Sequence, residues 1–221
     1  MELELTPEEV RVLGALIEKE RTTPEYYPLS LNALTNACNQ KSNREPVVAY
    51  SEDTVSVTIE SLRQKELALL VTGAGSRVPK YKHVFGSRFQ FNDAEIAILC
   101  ILMLRGPQTV GEIRSRASRM YAFADLGEVT DHLDRLQNLE NGPFVTQLPR
   151  QPGRKELRYT HLFSGAPKYT ETTVTQDPAA VGRNNEAGNN RISKLEEEVA
   201  ALQSELQRFK NEFLEFKKQF E

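Results

Sequence analysis

The sequence predicts a mainly α fold with small β-hairpins (α+β): two winged helix-turn-helix units in tandem, followed by a coiled-coil helix. Three observations predict it. One helix-start signature occurs twice, each copy runs through two further helical patterns into a pair of alternating segments, and the C-terminal segment carries a strict heptad stripe. The resulting division is a first unit over 1–88, a second over 89–165, a flexible linker over 166–190 and a coiled-coil helix over 191–221.

Leu5-Thr-Pro-Glu-Glu9 and Phe91-Asn-Asp-Ala-Glu95 are the two helix starts. Each has a hydrophobe, a Thr or Asn cap, and a Glu three residues on that can close a capping box. Val10, Leu13, Leu16 and Ile17 then recur at helical spacing, matched by Ile96, Leu99, Leu102 and Met103. A short second helix is expected over Leu31–Cys38 behind Ser30, and over Val110–Arg119 behind Thr109. A third carries Val55, Ile59 and Leu62, or Val129, Leu133 and Leu136. The period then changes to two: Leu67–Thr72 and Val78–Phe85 flank Gly73-Ala-Gly75, and Phe144–Leu148 and Leu157–Phe163 flank Gln151-Pro-Gly-Arg154. Three helices and a closing hairpin is the winged-helix order. The first copy differs by insertions in Arg21–Pro28 and Asn39–Tyr50. These bracket its second helix and are expected to share a face, the best candidate site on the chain.

Among 221 residues, no apolar run approaches the ~18 that a membrane span requires, and the acidic N-terminus does not read as a signal peptide. A cytoplasmic protein is expected. Cys38 and Cys100 fall in apolar helical patterns and read as buried thiols. His83 and His161 hold equivalent places, each between aromatics two residues away, with no ligand-spaced partner, so they read as packing residues and no metal is expected. Phosphate-loop, dinucleotide, zinc-protease and nucleophile-elbow motifs do not occur, and neither an enzyme nor a cofactor is predicted.

The formal net charge of −3 is not that of a strong nucleic-acid binder. On the third helices, Thr54, Thr58, Ser61 and Lys65 read as a solvent face. Glu52, Asp53 and Glu60 lie nearby, and Glu128, Asp131 and Asp134 mark the second copy against Arg135. Basic residues gather elsewhere: Lys41 and Arg44 with Asn43 on the second insertion, Arg77, Lys80 and Lys82 on the first wing, Arg150, Arg154, Lys155 and Arg158 on the second, and Arg114, Arg116 and Arg119 on a second helix. These are either a phosphate-binding surface or ordinary solvated arginines with carboxylate partners. Asn39–Val47 could bind a ligand or cap neighbouring helices. Tyr26 and Tyr27 read chiefly as loop anchors.

Thr22-Thr-Pro-Glu-Tyr-Tyr-Pro-Leu-Ser-Leu-Asn-Ala-Leu34, Ala37-Cys-Asn-Gln-Lys-Ser-Asn-Arg-Glu-Pro-Val47, Arg114-Ser-Arg-Ala-Ser-Arg-Met-Tyr121 and Tyr159-Thr-His-Leu-Phe-Ser-Gly165 resemble the YceH family of bacterial proteins. The resemblance covers roughly residues 3–165. It implies tandem winged helices and supplies no activity.

In the tail, Ile192, Leu195, Val199, Leu202, Leu206, Phe209, Phe213, Phe216 and Phe220 alternate steps of three and four, the pattern of a left-handed coiled coil. Ile192 and Val199 at a with Leu195 and Leu202 at d favour a parallel homodimer. Two functions remain open: a dimeric DNA-binding regulator, or a protein-interaction adaptor.

Overall fold

In the computed structural model of the chain, residues 3–72, 78–150 and 156–165 are described. Outside them lie Arg77, Arg154, Lys155, both hairpin turns, the linker and the whole stripe from Ile192 to Phe220.

The described residues are mainly helical with small antiparallel sheets. The first repeat runs α1 (Pro7–Thr22), a 3-10 turn (Pro24–Tyr26), β1 (Leu29–Ser30), α2 (Leu31–Cys38), α3 (Glu52–Gln64), β2 (Ala68–Val71) and β3 (Lys80–His83). After α4 (Phe85–Phe89), the second runs α5 (Asp93–Arg105), α6 (Val110–Ala117), α7 (Leu126–Asn138), β4 (Val145–Gln147) and β5 (Tyr159–His161). Both helix starts form reciprocal caps. Thr6 Oγ1 accepts from the Glu9 amide at 3.2 Å while Glu9 returns a carboxylate to the Thr6 amide at 2.8 Å; Asn92 and Glu95 do the same at 2.9 Å each way.

Two elements exceed the sequence reading. β1 pairs with β3, giving the order β1-β3-β2, and a one-residue bridge of Gln108 to Tyr159 is its counterpart beside β5. The alternation expected to run to Phe85 stops at His83, where His83 Nδ1 accepts the Phe85 amide at 3.3 Å and diverts it from the ladder. The chain then turns into α4, which ends at Gln90 in the left-handed region, φ 55°.

One hydrophobic cluster runs through both repeats. Its axis is the crossing of α1 and α5, and every α5 residue from Ala94 to Leu104 is buried. Gly14 permits the close approach: a Cβ there would lie 3.0 Å from Leu104 Cγ and Cδ2 and 3.2 Å from Met103 Cβ. The Gly14 carbonyl also accepts Cys100 Sγ at 3.4 Å. Gly14→Val is therefore expected to force the helices apart and destabilise the fold by about 1–3 kcal/mol, read as a lowered urea midpoint. An unchanged midpoint would mean that the crossing yields freely.

Candidate functional site

The phase of α3 is set by Val55, Ile59 and Leu62 in the core, and that phase corrects the expected solvent face. Thr58 is buried, with its hydroxyl donating to the Thr54 carbonyl at 2.7 Å. Ser61 donates to Glu9 at 2.6 Å, and Lys65 Nζ donates to Glu9 at 2.7 Å and to the Glu4 carbonyl at 2.9 Å. The Thr58–Ser61–Lys65 side thus faces α1. The exposed side carries Glu52, Asp53, Glu60 and Gln64 around Val57, which is 73% exposed. On α7, Leu126, Asp131 and Asp134 are exposed. Glu128 instead takes the Tyr121 hydroxyl at 2.8 Å and the Ala124 amide at 2.7 Å, and Arg135 pairs with the buried Glu95 at 2.8 Å.

The basic residues divide. Arg44 departs from the expected surface: its side chain is 0% exposed, and it grips Glu18 at 2.5 and 3.0 Å and the carbonyls of Ala37 and Asn43. A guanidinium placed so cannot reach a phosphate outside. Arg114 donates to the Phe123 and Ala124 carbonyls, and Arg158 to the Pro107 carbonyl and Glu112. Lys41, Lys80, Lys82, Arg119 and Arg150 make no ion pair with a described residue; Lys41, Arg119 and Arg150 are exposed, and Lys80 and Lys82 are partly so.

The two insertions do share a face. Thr22 and Thr23 from the first, and Gln40, Ser42 and Asn43 from the second, line one cleft of about 410 Å³ between the repeats. Its opposite wall is the C-terminus of α5 and the end of α6: Arg105, Ser115, Arg116, Ser118 and Arg119, with Ile101, Leu104 and Met120 as apolar lining. The Glu45 amide donates to the Leu104 carbonyl at 2.8 Å, and Arg105 to Asn43 Oδ1, so the insertion loop is tied to the second repeat. Asn43 sits at φ 60°, a conformation asparagine tolerates better than most residues.

The cleft's charge is lopsided. Lys19, Arg105, Arg116 and Arg119 line it against one carboxylate, Glu18. Burial alone would raise the Glu18 pKa, but the hydrogen bonds and charge of Arg44, with Lys19, outweigh it and hold the group below the usual carboxylate range. Arg105 is pulled below the usual guanidinium range, first by burial and then by the neighbouring Arg116 charge. Arg116 itself pairs with Glu112 at 3.4 Å. Arg105 and Lys19 were not among the sequence candidates, because a basic residue in a helix's last turn reads as complementing the dipole.

Cys38 and Cys100 are fully buried free thiols, and burial pushes Cys38 up to about 12. No group of three or more His, Cys, Asp or Glu is placed to hold a metal among the described residues. His83 Nε2 lies 2.9 Å from Glu20, and the Tyr27 hydroxyl accepts the His83 amide at 2.7 Å; Tyr27 is the anchor, whereas Tyr26 is 72% exposed.

Burial pushes His161 down to about 4, and its Nδ1 has no partner among the described residues. The unfolded imidazole titrates near 6.5, so its contribution is whole above that pH and lost as pH falls through the folded value. At 1.36 kcal/mol per unit, the loss is about 3–4 kcal/mol. His161→Phe is expected to flatten stability between pH 6.5 and 4.5 in urea titrations, above the window in which Glu9, Glu18, Glu20 and Glu112 lose theirs. The wild-type slope surviving in the variant would refute the assignment.

No helix among the described residues is long and apolar enough to cross a membrane. Compared with known proteins, residues 5–154 match the family described as Protein of unknown function, DUF480. A UPF0502 protein of Geotalea uraniireducens is 53% identical over 221 residues, covering 100% of both chains. A UPF0502 protein of Photobacterium profundum is 46% identical over 220 residues, covering 95% of this chain and 96% of its own. The first repeat from α1 on, the tied insertion loop and the cleft sit within the matched region, and the chain belongs to the DUF480 family.

Proposed function

We propose that this chain is a non-catalytic regulatory binding protein of two winged-helix-type units, 1–88 and 89–165, whose third-helix faces dock a protein partner. The observation that carries this reading is the exposed side of α3, where Asp53 and Glu60 lie one turn to either side of Val57, while α7 also exposes carboxylates, Asp131 and Asp134. Carboxylates facing a duplex would oppose the phosphate attraction that supplies most non-specific affinity. An apolar residue flanked by acids suits a protein surface with basic groups around a hydrophobic pocket. The heptad segment 191–221 joins two copies as a parallel homodimer, so weak contacts add by avidity. The setting is cytoplasmic.

A second reading has its own support: Lys80 and Lys82 on β3, Lys41 on the insertion and Arg150 after β4 are basic groups with no ion pair to a described residue, as side chains that contact a phosphate backbone would be. With Arg77, Arg154 and Lys155 they form the DNA-contacting set. Two measurements separate the readings. A photo-crosslinking residue in place of Val57 should trap a protein in cells, with the adduct lost on Glu60→Lys. A labelled random-sequence duplex should show no saturable anisotropy change at about 50 mM salt. Duplex binding that falls steeply with salt and disappears in Lys80→Glu/Lys82→Glu would overturn the protein reading in favour of DNA.

A further inference from the structure

We infer that the cleft between α1 with its insertion loop and α5 with α6 is a binding site for a small phosphate-bearing molecule. Its volume of about 410 Å³ falls in the range of small-molecule sites, roughly 300–1,000 Å³. Four cations, Lys19, Arg105, Arg116 and Arg119, line it with Glu18 as the one lining carboxylate; Glu18 is already held by the buried Arg44, and Arg116 is paired outside the lining with Glu112 at 3.4 Å. Arg119 has no hydrogen bond or ion pair with any described residue, which leaves its guanidinium free for a ligand. Guanidinium forks match the geometry of phosphate oxygens and hold them in bidentate pairs. The Ser115 and Ser118 hydroxyls on the same wall add neutral donors.

The electrostatics of the cleft point the same way. Arg105 is disfavoured in its charged form by burial and by the charges of Arg116 and Arg44, the condition that a bound anion relieves. The lining also limits what accompanies the phosphate. It contains no aromatic ring, so a nucleobase would have nothing to stack on, whereas Ile101, Leu104 and Met120 can seat an aliphatic or sugar body. The site joins the two repeats, so a ligand there stabilises their packing and reports its presence across the shared core.

The test uses the full chain, titrated with sodium pyrophosphate and separately with glycerol 3-phosphate, and with sodium chloride at matched ionic strength as the control. Each phosphate is expected to raise Tm saturably at about millimolar concentration, and chloride is not. Arg119→Gln, at an exposed side chain without a described partner, should weaken the apparent Kd by about tenfold, the effect of losing one charge-assisted pair. Arg105→Gln should act in the same direction. Arg88→Gln, exposed on α4 and outside the cleft, should leave the Kd unchanged. Tighter binding of glycerol 3-phosphate than of pyrophosphate would assign the apolar wall to an organic body, and the reverse would assign the site to inorganic phosphate species; both support the site. No saturable shift with either probe up to about 10 mM, an equal loss in Arg88→Gln, or displacement of the probes by duplex DNA would overturn it.

Discussion

Arg44→Met is expected to destabilise the fold by about 3–5 kcal/mol, the range for removing one partner of a buried ion pair. The guanidinium is 0% exposed and meets Glu18 at 2.5 and 3.0 Å, the Ala37 carbonyl at 2.9 and 3.1 Å and the Asn43 carbonyl at 2.9 Å. Methionine fills much of the stem's volume and supplies none of those donors. Glu18 then keeps only Lys19, at 3.6 Å, against the burial that opposes its charge. The sign of the pH effect follows. In the native protein the Glu18 pKa is depressed, so its contribution is present above the ordinary value of 4.5 and is lost as pH falls below it. In the variant that acid-side loss should shrink, because the guanidinium that stabilised the ionised carboxylate is already gone. Urea titration at pH 7 and pH 4 measures both effects. Arg44→Met/Glu18→Leu should recover part of the loss, since neither charge is then stranded. A loss below about 1 kcal/mol in the single variant would mean that the loop holds without the pair.

The same residue marks how far the sequence could be read. Helix starts were legible because a cap is a local event: Thr6 with Glu9 and Asn92 with Glu95 need no neighbour beyond their own first turn. Hairpin strands and the core stripes of α3 and α7 were legible for the same reason. Arg44 was not, because a lone arginine in a polar loop looks solvated until the loop folds back over α1. Thr58 and Lys65 read as solvent-facing because the wide stripe beside Val55, Ile59 and Leu62 faces α1, and only the packing of α1 reveals that. Unforeseen α4 begins where the Phe85 amide donates to the His83 ring, a side-chain contact that no period in the sequence announces. The cleft was half visible: the insertions named one wall, while Arg105 and Lys19 joined it only through the crossing of α5 with α1.

Phe85→Ala is expected to destabilise both repeats together, by about 3–5 kcal/mol. Phe85 is fully buried at the start of α4, between the sheet of the first repeat and the aromatic cluster of the second. Its ring centroid lies 5.4 Å from Phe89, 5.2 Å from Phe91 and 5.3 Å from Phe163, and Phe91 in turn meets Phe144 at 4.8 Å, edge to face. Truncation removes the contact area and leaves a cavity between rigid rings that cannot collapse into it. Phe85→Leu, which fills part of that space, should recover some of the stability. The cluster is continuous with the α1–α5 core, so the loss should reach α2 as well as α7. Amide exchange tests this directly. In the variant, protection in Leu34–Cys38 of α2 and in Val129–Leu136 of α7 should fall by the same free energy, as for one cooperative unit. Faster exchange confined to α7 would show instead that the repeats fold independently and that the shared core does not couple them.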